Sequence, residues 1–500
     1  MKKQYISIAL LASLLLCVLA IPFGNAIASS NQALTLQPDD NPGVYTYHPN
    51  LMLVNFTRYG GTGFLYNTVY ELRNAYDLNP LYANGYTGSG QTVVIVDAFG
   101  SPTIYQDLLS FILLQNSATY YNANLPWTTM AAVQSHLKIY YPEGQPVFNA
   151  SDSNQQGWSQ EVTLDVCMVH AIAPGANIAL VISIDDQDTS LTTAVQYALG
   201  HHLGSVISQS WGDPEWDIAL GGKAAVKELM VAHLTYMLAA FMGVTVFASS
   251  GDWGASSLSP FYIPPGYNSP EYPASDPFVT AVGGTNLFMT CANGYKEGTG
   301  SWTPPTGNSP RTSPGITYNY EIAGNDYEGM VADGYPAPYD AVTTGGAMSK
   351  FFPLPIWQYG ITMTYANGTT FKPTGRCDCD VSFDSGVYGG IGPIPWTANA
   401  SLAGNYIFGG TSCGSPFWAA LTAIANQKLG HNVGYINPAL YLNKAALYKN
   451  GAFHDITIGD NTYPTGYTPI GFEATKGWDS PTGIGSPDAA NLLLQLKGYC

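Results

Sequence analysis

Charge is what this chain has least of. Only 10% of its 500 residues are charged, against about 25% in an ordinary soluble protein. Lys and Arg number 17 against 34 Asp and Glu, a formal net charge of −17 near neutrality. So few cations exclude the basic patches that nucleic-acid binding needs. In acid the carboxylates lose their charge and only the 17 Lys and Arg plus 8 His stay positive, so self-repulsion at low pH is small. Tyr, Ser, Thr, Asn and Gly supply the polar surface instead. The balance suits an acidic exterior; an ordinary acidic secreted protein is the plainer alternative.

Cysteine is also scarce, and one of the seven, Cys17, falls in an N-terminal stretch that reads as an export signal. Lys2 and Lys3 precede an apolar run from Ile6 to Ile21, and Ala26-Ile27-Ala28 offers a cleavage site after Ala28. The expected product is secreted and extracellular, or tethered if the stretch stays as an uncleaved anchor. No later segment reads as apolar enough to span a bilayer. Export permits disulfides among Cys167, Cys291, Cys377, Cys379, Cys413 and Cys500. Cys377 and Cys379 are too close to pair comfortably, which leaves Cys291 or Cys500 as a partner for one of them. Asn55, Asn149, Asn367 and Asn399 lie in Asn-X-Ser/Thr sequons.

Residues 1–28 thus read as a signal peptide and 29–66 as a polar, Pro/Asn-rich extension or short pro-segment. Residues 67–500 read as one large domain, with no internal repeat or linker composition. Within it, short β-branched runs alternate with helical stretches. Gln91 to Asp97, Asn177 to Ile184, Ser205 to Ser210 and Val244 to Ala248 read as buried strands. Thr189 to Leu199 and Lys223 to Met242 read as helices. That alternation predicts an α/β fold with a central parallel sheet flanked by helices. Ligands bind at the carboxyl ends of such strands, where Asp97, Ser210 and Asp252 fall. Residues 255 to about 275 and 296 to about 345 read as long surface loops.

Gly409-Gly410-Thr411-Ser412-Cys413-Gly414-Ser415-Pro416, followed by Phe417-Trp418-Ala419-Ala420-Leu421, places Ser412 at the mouth of a buried helix. A hydroxyl there can face a bound carbonyl beside amide groups that favour negative charge; a helix-capping serine is the bland alternative. Glu161 and Asp165 are four residues apart in an apolar segment, so a half-buried helix puts both carboxyls on one face, where they share a proton. His170, nearby, reads as structural. Ser249-Ser250-Gly251-Asp252 follows a strand, and Asp252 can donate to an oxyanion only when protonated. His454-Asp455-Ile456 and Thr475-Lys476-Gly477-Trp478-Asp479 offer two acids and main-chain carbonyls suited to a hard cation; a pair of Asx turns is the alternative.

These motifs, in this order, resemble the sedolisin family of serine-carboxyl peptidases, over roughly residues 68 to 492. The resemblance implies a subtilisin-like three-layer fold with long surface loops. It implies Ser412 as nucleophile, Glu161 as general base, Asp165 as its hydrogen-bonded orienter, and Asp252 with the Ser412 amide as the oxyanion hole. Ser210 and Trp211 would border the substrate cleft, and Asp97 would join the acidic network. One structural calcium ion would be held by Asp455, Asp479 and the carbonyls of Ile456, Thr475 and Gly477. The family pattern also implies a large folded pro-domain, where this sequence has about forty residues between signal and catalytic domain.

The implied activity is that of a secreted, acid-acting endopeptidase, expected to be a monomer acting on polypeptides, through a Ser-Glu-Asp triad and an acyl-enzyme. A carboxyl base suits acid, because imidazole with a pKa near 6.5 is mostly protonated at about pH 3 to 5. The alternatives are a tripeptidyl-peptidase, a histidine-dependent subtilisin type, Cys413 as nucleophile, and a non-catalytic binding or surface protein that retained the fold.

Overall fold

The computed structural model describes residues 46–55, 66–120, 122–257, 267–291, 316–326, 342–387, 389–463 and 471–498. The signal peptide, Cys17 and Cys500 lie outside the described residues, as does the side chain of Cys291.

Eight strands make the main sheet. In chain order they are Thr92–Ala98 (β1), Leu137–Tyr140 (β2), Asn177–Ser183 (β3), Val206–Gln209 (β4), Thr245–Ser249 (β5), Thr280–Cys291 (β6), Ile316–Ala323 (β7) and Val381–Asp384 (β8). Their spatial order is β7-β6-β5-β4-β1-β3-β2, with β8 also paired to β6. Every pairing is parallel except β6 with β7. Five helices cover the sheet: Ile104–Gln115 (α1), Ser153–Ile172 (α2), Asp188–Gly200 (α3), Gly222–Phe241 (α4) and Gly414–Leu429 (α5).

Alternation along β1 assigns the layers. Val93 and Ile95 belong to the core shared with α1, α2 and α5, while Val94 and Val96 belong to the core shared with α3 and α4. A sheet covered on both faces explains why these strands read as continuous apolar runs. The α/β three-layer expectation holds, and the expected strands and helices appear within one or two residues at each end.

Three expectations change. The stretch expected as loop from 296 to 345 contains β7, whose pairing closes the antiparallel edge of the sheet from Thr285↔Ala323 to Cys291↔Ile316. Its Tyr/Asn-rich sequence hides period-two order, and its hydrogen bonds come from the long β6 rather than from local turns. Second, α4 is, by length and composition, apolar enough to cross a membrane. Its Ala225, Leu229, Ala232, Tyr236, Ala239 and Ala240 are buried on the sheet side, so its apolarity is partly that of a core helix. Third, Cys377 and Cys379 are free buried thiols, as are Cys167 and Cys413, so neither bonds to Cys291 or Cys500. Cys377 Sγ packs 3.5 Å from Met363 Sδ.

Candidate active site

α2 begins at Asp152, whose side chain accepts from the Asn154 and Gln155 amides. Every residue from Glu161 to Ile172 is buried, so its acids enter the core with no solvent shell. α5 is buried from Gly414 to Asn426, and the turn Thr411–Cys413 precedes it. The two helices pack together and bring Ser412 to Glu161. Ser412 Oγ donates to Glu161 Oε2 at 2.8 Å. Its hydroxyl therefore does not cap α5, whose N-cap is Cys413 with no side-chain bond.

Behind Glu161 lies a chain of carboxyls. Asp165 Oδ1 accepts from Ser210 Oγ at 2.8 Å. Asp165 also hydrogen-bonds Glu161, which needs a proton on one of the two, because neither Glu161 Oε1 nor Asp165 Oδ2 has an N–H or hydroxyl donor. Asp97, at the end of β1, is fully buried with neither oxygen partnered. Burial raises Glu161 well above the usual carboxyl range, with Asp165 and then Asp97 adding repulsion, while the Ser412 hydroxyl favours the ionised form. Burial and Asp97 likewise raise Asp165, and burial lifts Asp97 to about 8. Burial and mutual repulsion thus favour the protonated forms across the three acids, extending to Asp97 the proton sharing expected of Glu161 and Asp165.

Asp252 follows β5. Its Oδ1 accepts from the Thr411 amide at 2.7 Å and from Thr411 Oγ1 at 2.9 Å, while Oδ2 is buried without a donor. Burial lifts its pKa to about 7, so in acid Oδ2 carries a proton that it can donate. Gly410, at φ 101°, leaves the space beside it: a Cβ there would lie 2.5 Å from Asp252 Oδ2 and 2.5 Å from the carbonyl oxygen of Asn50.

That Asn50 carbonyl accepts from the main-chain N–H of Ser412 at 3.0 Å. The Asn50 amide donates to the Ser210 carbonyl at 3.2 Å. A peptide carbonyl of the chain's own N-terminal extension therefore lies between the Ser412 amide and Asp252. The Asn50 side chain donates through Nδ2 to Ser249 Oγ at 3.0 Å and to Glu271 Oε2 at 2.8 Å. Burial lifts Glu271 to about 8. Gly212 and Gly251 make room for its carboxyl, since a Cβ on either would fall 2.3 to 2.4 Å from a Glu271 oxygen.

The remaining expected residues divide. Trp211 donates Nε1–H to the Val96 carbonyl at 2.7 Å and packs on Tyr47, 4.7 Å between ring centres, so its indole braces the cleft strand. His170 stacks on Trp127 and is pushed down to about 3 by burial, a packing role. Asp455 Oδ1 accepts from the Gly477 amide at 2.9 Å, and Asp479 accepts from the Thr475 and Thr482 amides at 3.0 and 2.9 Å. Burial raises Asp479 well above the usual carboxyl range against its hydrogen bonds from Thr475 and Thr482, and nearby Asp455 adds a little repulsion. The all-oxygen donors fit a hard cation, though no group of three or more His, Cys, Asp or Glu gathers among the described residues. Sequence alone assigns no role to Asn50, Ser249, Glu271 or Thr411, although Ser249 and Thr411 lie inside two of the motifs it singles out.

No family model matches the chain. Kumamolisin of Bacillus sp. (strain MN-32) is 30% identical over 385 residues, covering 74% of this chain and 57% of its own length. Sedolisin of Pseudomonas sp. (strain 101) is 30% identical over 354 residues, covering 70% of this chain and 51% of its own length. A solved structure of Pseudomonas sedolisin, a serine-carboxyl proteinase complexed with two molecules of pseudo-iodotyrostatin, superposes with a TM-score of 0.64 at 26% identity. It covers 87% of this chain and 99% of that one. The chain belongs to the sedolisin family. It spans between half and three-fifths of the length of these two curated sedolisin relatives. Within the sedolisin fold the acids of α2 and the serine before α5 come from opposite ends of the sequence, 251 residues apart, and meet over the sheet.

Proposed function

We propose that the protein is a secreted, acid-acting serine-carboxyl endopeptidase. The observation that carries this reading is the pairing of two bonds at one residue: Ser412 Oγ on Glu161 at 2.8 Å, and the Ser412 amide on a peptide carbonyl at 3.0 Å. A nucleophile, its base and an oxyanion donor thus converge on a carbonyl.

In the ionised form Glu161 takes the Ser412 proton as the oxygen adds to the scissile carbonyl carbon. The Ser412 N–H and the protonated Asp252 hold the oxyanion. Glu161 then protonates the leaving nitrogen, and a water deprotonated by Glu161 releases the acyl group. Asp165, fixed by Ser210, keeps Glu161 oriented. The cleft holds chain from Thr46 to Asn50 on the acyl side, and residues 52–55 continue as a strand on the other. Five residues before the carbonyl favour an endopeptidase over a tripeptidyl-peptidase.

Export rests on the N-terminal signal pattern. A calcium ion at Asp455 and Asp479 would stabilise the C-terminal turns; it takes no part in the chemistry.

The test is digestion of a denatured protein across about pH 3 to 6, so that the raised base is sampled in both forms, by wild type, Ser412→Ala and Glu161→Gln. Each variant should lose about three orders of magnitude or more. Full activity of Ser412→Ala would overturn the reading.

A further inference from the structure

We propose that the protein pairs with a second copy of itself through α4. The two helices run antiparallel about a two-fold axis at Leu234, giving a dimer where the sequence suggested a monomer.

The outward face of α4 carries a regular seam. Beyond Lys223 at its start, the exposed residues of this helix are Ala224, Lys227, Val231, Leu234, Leu238 and Phe241. Their spacings are three, four, three, four and three, the alternation by which one helix presents a seam to another. Val231 is 44% exposed, Leu234 47%, Leu238 50% and Phe241 54%. Half-buried Met230 and Met237 widen the apolar stripe on one side. On the other, Gln196 of α3 donates to Thr235 Oγ1 at 3.0 Å and gives the stripe a polar border.

The size and shape of the stripe fit a helix. Its apolar surface is on the order of several hundred Å², within the range of about 300–600 Å² found for the largest patch on a typical monomer. Two copies meeting face to face remove about 1,000 Å², the lower bound for a specific interface. A helix lying on a membrane shows a broad apolar face bordered by cations. This seam is narrow, and its cations stand at one end rather than along its borders.

The pattern also selects the partner. Read from Leu234, it is nearly the same in both directions: Val231 and Leu238 lie three and four residues away, Lys227 and Phe241 seven each. An antiparallel copy therefore sets Leu234 on the partner's Leu234, Val231 on the partner's Leu238 and Lys227 beside the partner's Phe241. One two-fold axis satisfies all of these contacts. Charge fixes the direction. Lys223 and Lys227 occupy the first two turns of α4, the end where a helix disfavours cations, while Leu229 to Met242 hold no Lys, Arg, Asp or Glu. In the antiparallel pair these ammonium groups reach the carbonyl end of the partner's helix. A parallel pair would set Lys227 against the partner's Lys227.

The exported protein carrying Ser412→Ala, which keeps proteolysis out of the sample, should be sedimented at about pH 4 from about 1 to 100 µM. Its mass should double across that range. Adding Leu234→Lys should keep it a monomer throughout, with a Tm within about two degrees of the parent, because the site is half exposed in the monomer. In a second arm, mild oxidation near neutral pH should join Leu234→Cys chains into a disulfide dimer and leave Lys227→Cys chains single. A monomer at every concentration overturns the proposal, as does a dimer that Leu234→Lys leaves intact. Lys227→Cys chains that join as readily as Leu234→Cys chains overturn the antiparallel direction. A monomer that floats with vesicles of anionic phospholipid assigns the stripe to a membrane and overturns the proposal as well.

Discussion

Gly410 and Asp252 share a space too small for one methyl group. A Cβ at Gly410 would stand 2.5 Å from Asp252 Oδ2, and the backbone there has φ 101°, a region that L side chains rarely adopt. Gly410→Ala should therefore push the oxyanion donor aside and crowd the bound carbonyl. We expect a fall in kcat/KM of about 100-fold or more, with a lower Tm from the strained backbone. A circular dichroism spectrum like wild type would show that the loss is local. Undiminished kcat/KM would contradict the geometry.

Asp252 and Glu161 demand opposite protonation states. Glu161 must be ionised to act, and Asp252 must be protonated to donate, so the rate should fall as pH rises through about 7, where Asp252 loses its proton. Asp252→Asn keeps an acceptor for Thr411 and a donor that does not titrate. Its descending limb should move to higher pH. Asp252→Ala should lose about 100- to 1000-fold at every pH. Identical pH profiles for wild type and Asp252→Asn would remove Asp252 from the oxyanion hole.

Stability should also fall as pH rises. Burial lifts Asp97 and Glu271 to about 8 and Asp252, Asp326 and Asp378 to about 7, whereas unfolded carboxyls titrate near about 4. Below about pH 4 both states hold these protons. Between there and about 8 the folded state keeps protons that the unfolded chain has released, so the stability they provide drains away across that window. Thermal unfolding of Ser412→Ala, which cannot digest unfolded chains during the melt, should give a Tm several degrees higher at about pH 4 than at about pH 8. A Tm that climbs with pH would contradict these shifts.

Calcium offers a separate check. Near pH 6, millimolar calcium should raise the Tm of the Ser412→Ala protein above its value in chelator. Adding Asp455→Ala should abolish that difference. Equal Tm values with and without calcium would leave Asp455 and Asp479 as turn-forming residues.

How much of this was readable in advance depends on how far each signal lies from what it describes. Glu161 and Asp165 were legible because helical spacing is local, and Asp97, Ser210 and Asp252 because strand ends can be counted along the chain. The shared-proton chain was less so: the pKa of Glu161 depends on Asp97, 64 residues upstream and on another element. Glu271 was invisible, since its position depends on Gly212 and Gly251 closing around it. Asn50 sat in a polar stretch with no periodicity, and its partners lie 199 and 221 residues away. β7 carries no strand signal of its own, because an edge strand can be rich in Tyr and Asn when its neighbour supplies the ladder.

The strand through the cleft turns only some of its side chains inward. Tyr47 and Asn50 are buried, while Thr46 and His48 face outward. A ligand for this groove therefore needs an extended backbone and two correct teeth, a tyrosine and an asparagine separated by two freely chosen residues. Short peptides of the form Tyr-x-x-Asn, ended in an aldehyde that Ser412 can capture, are the economical starting point for an inhibitor.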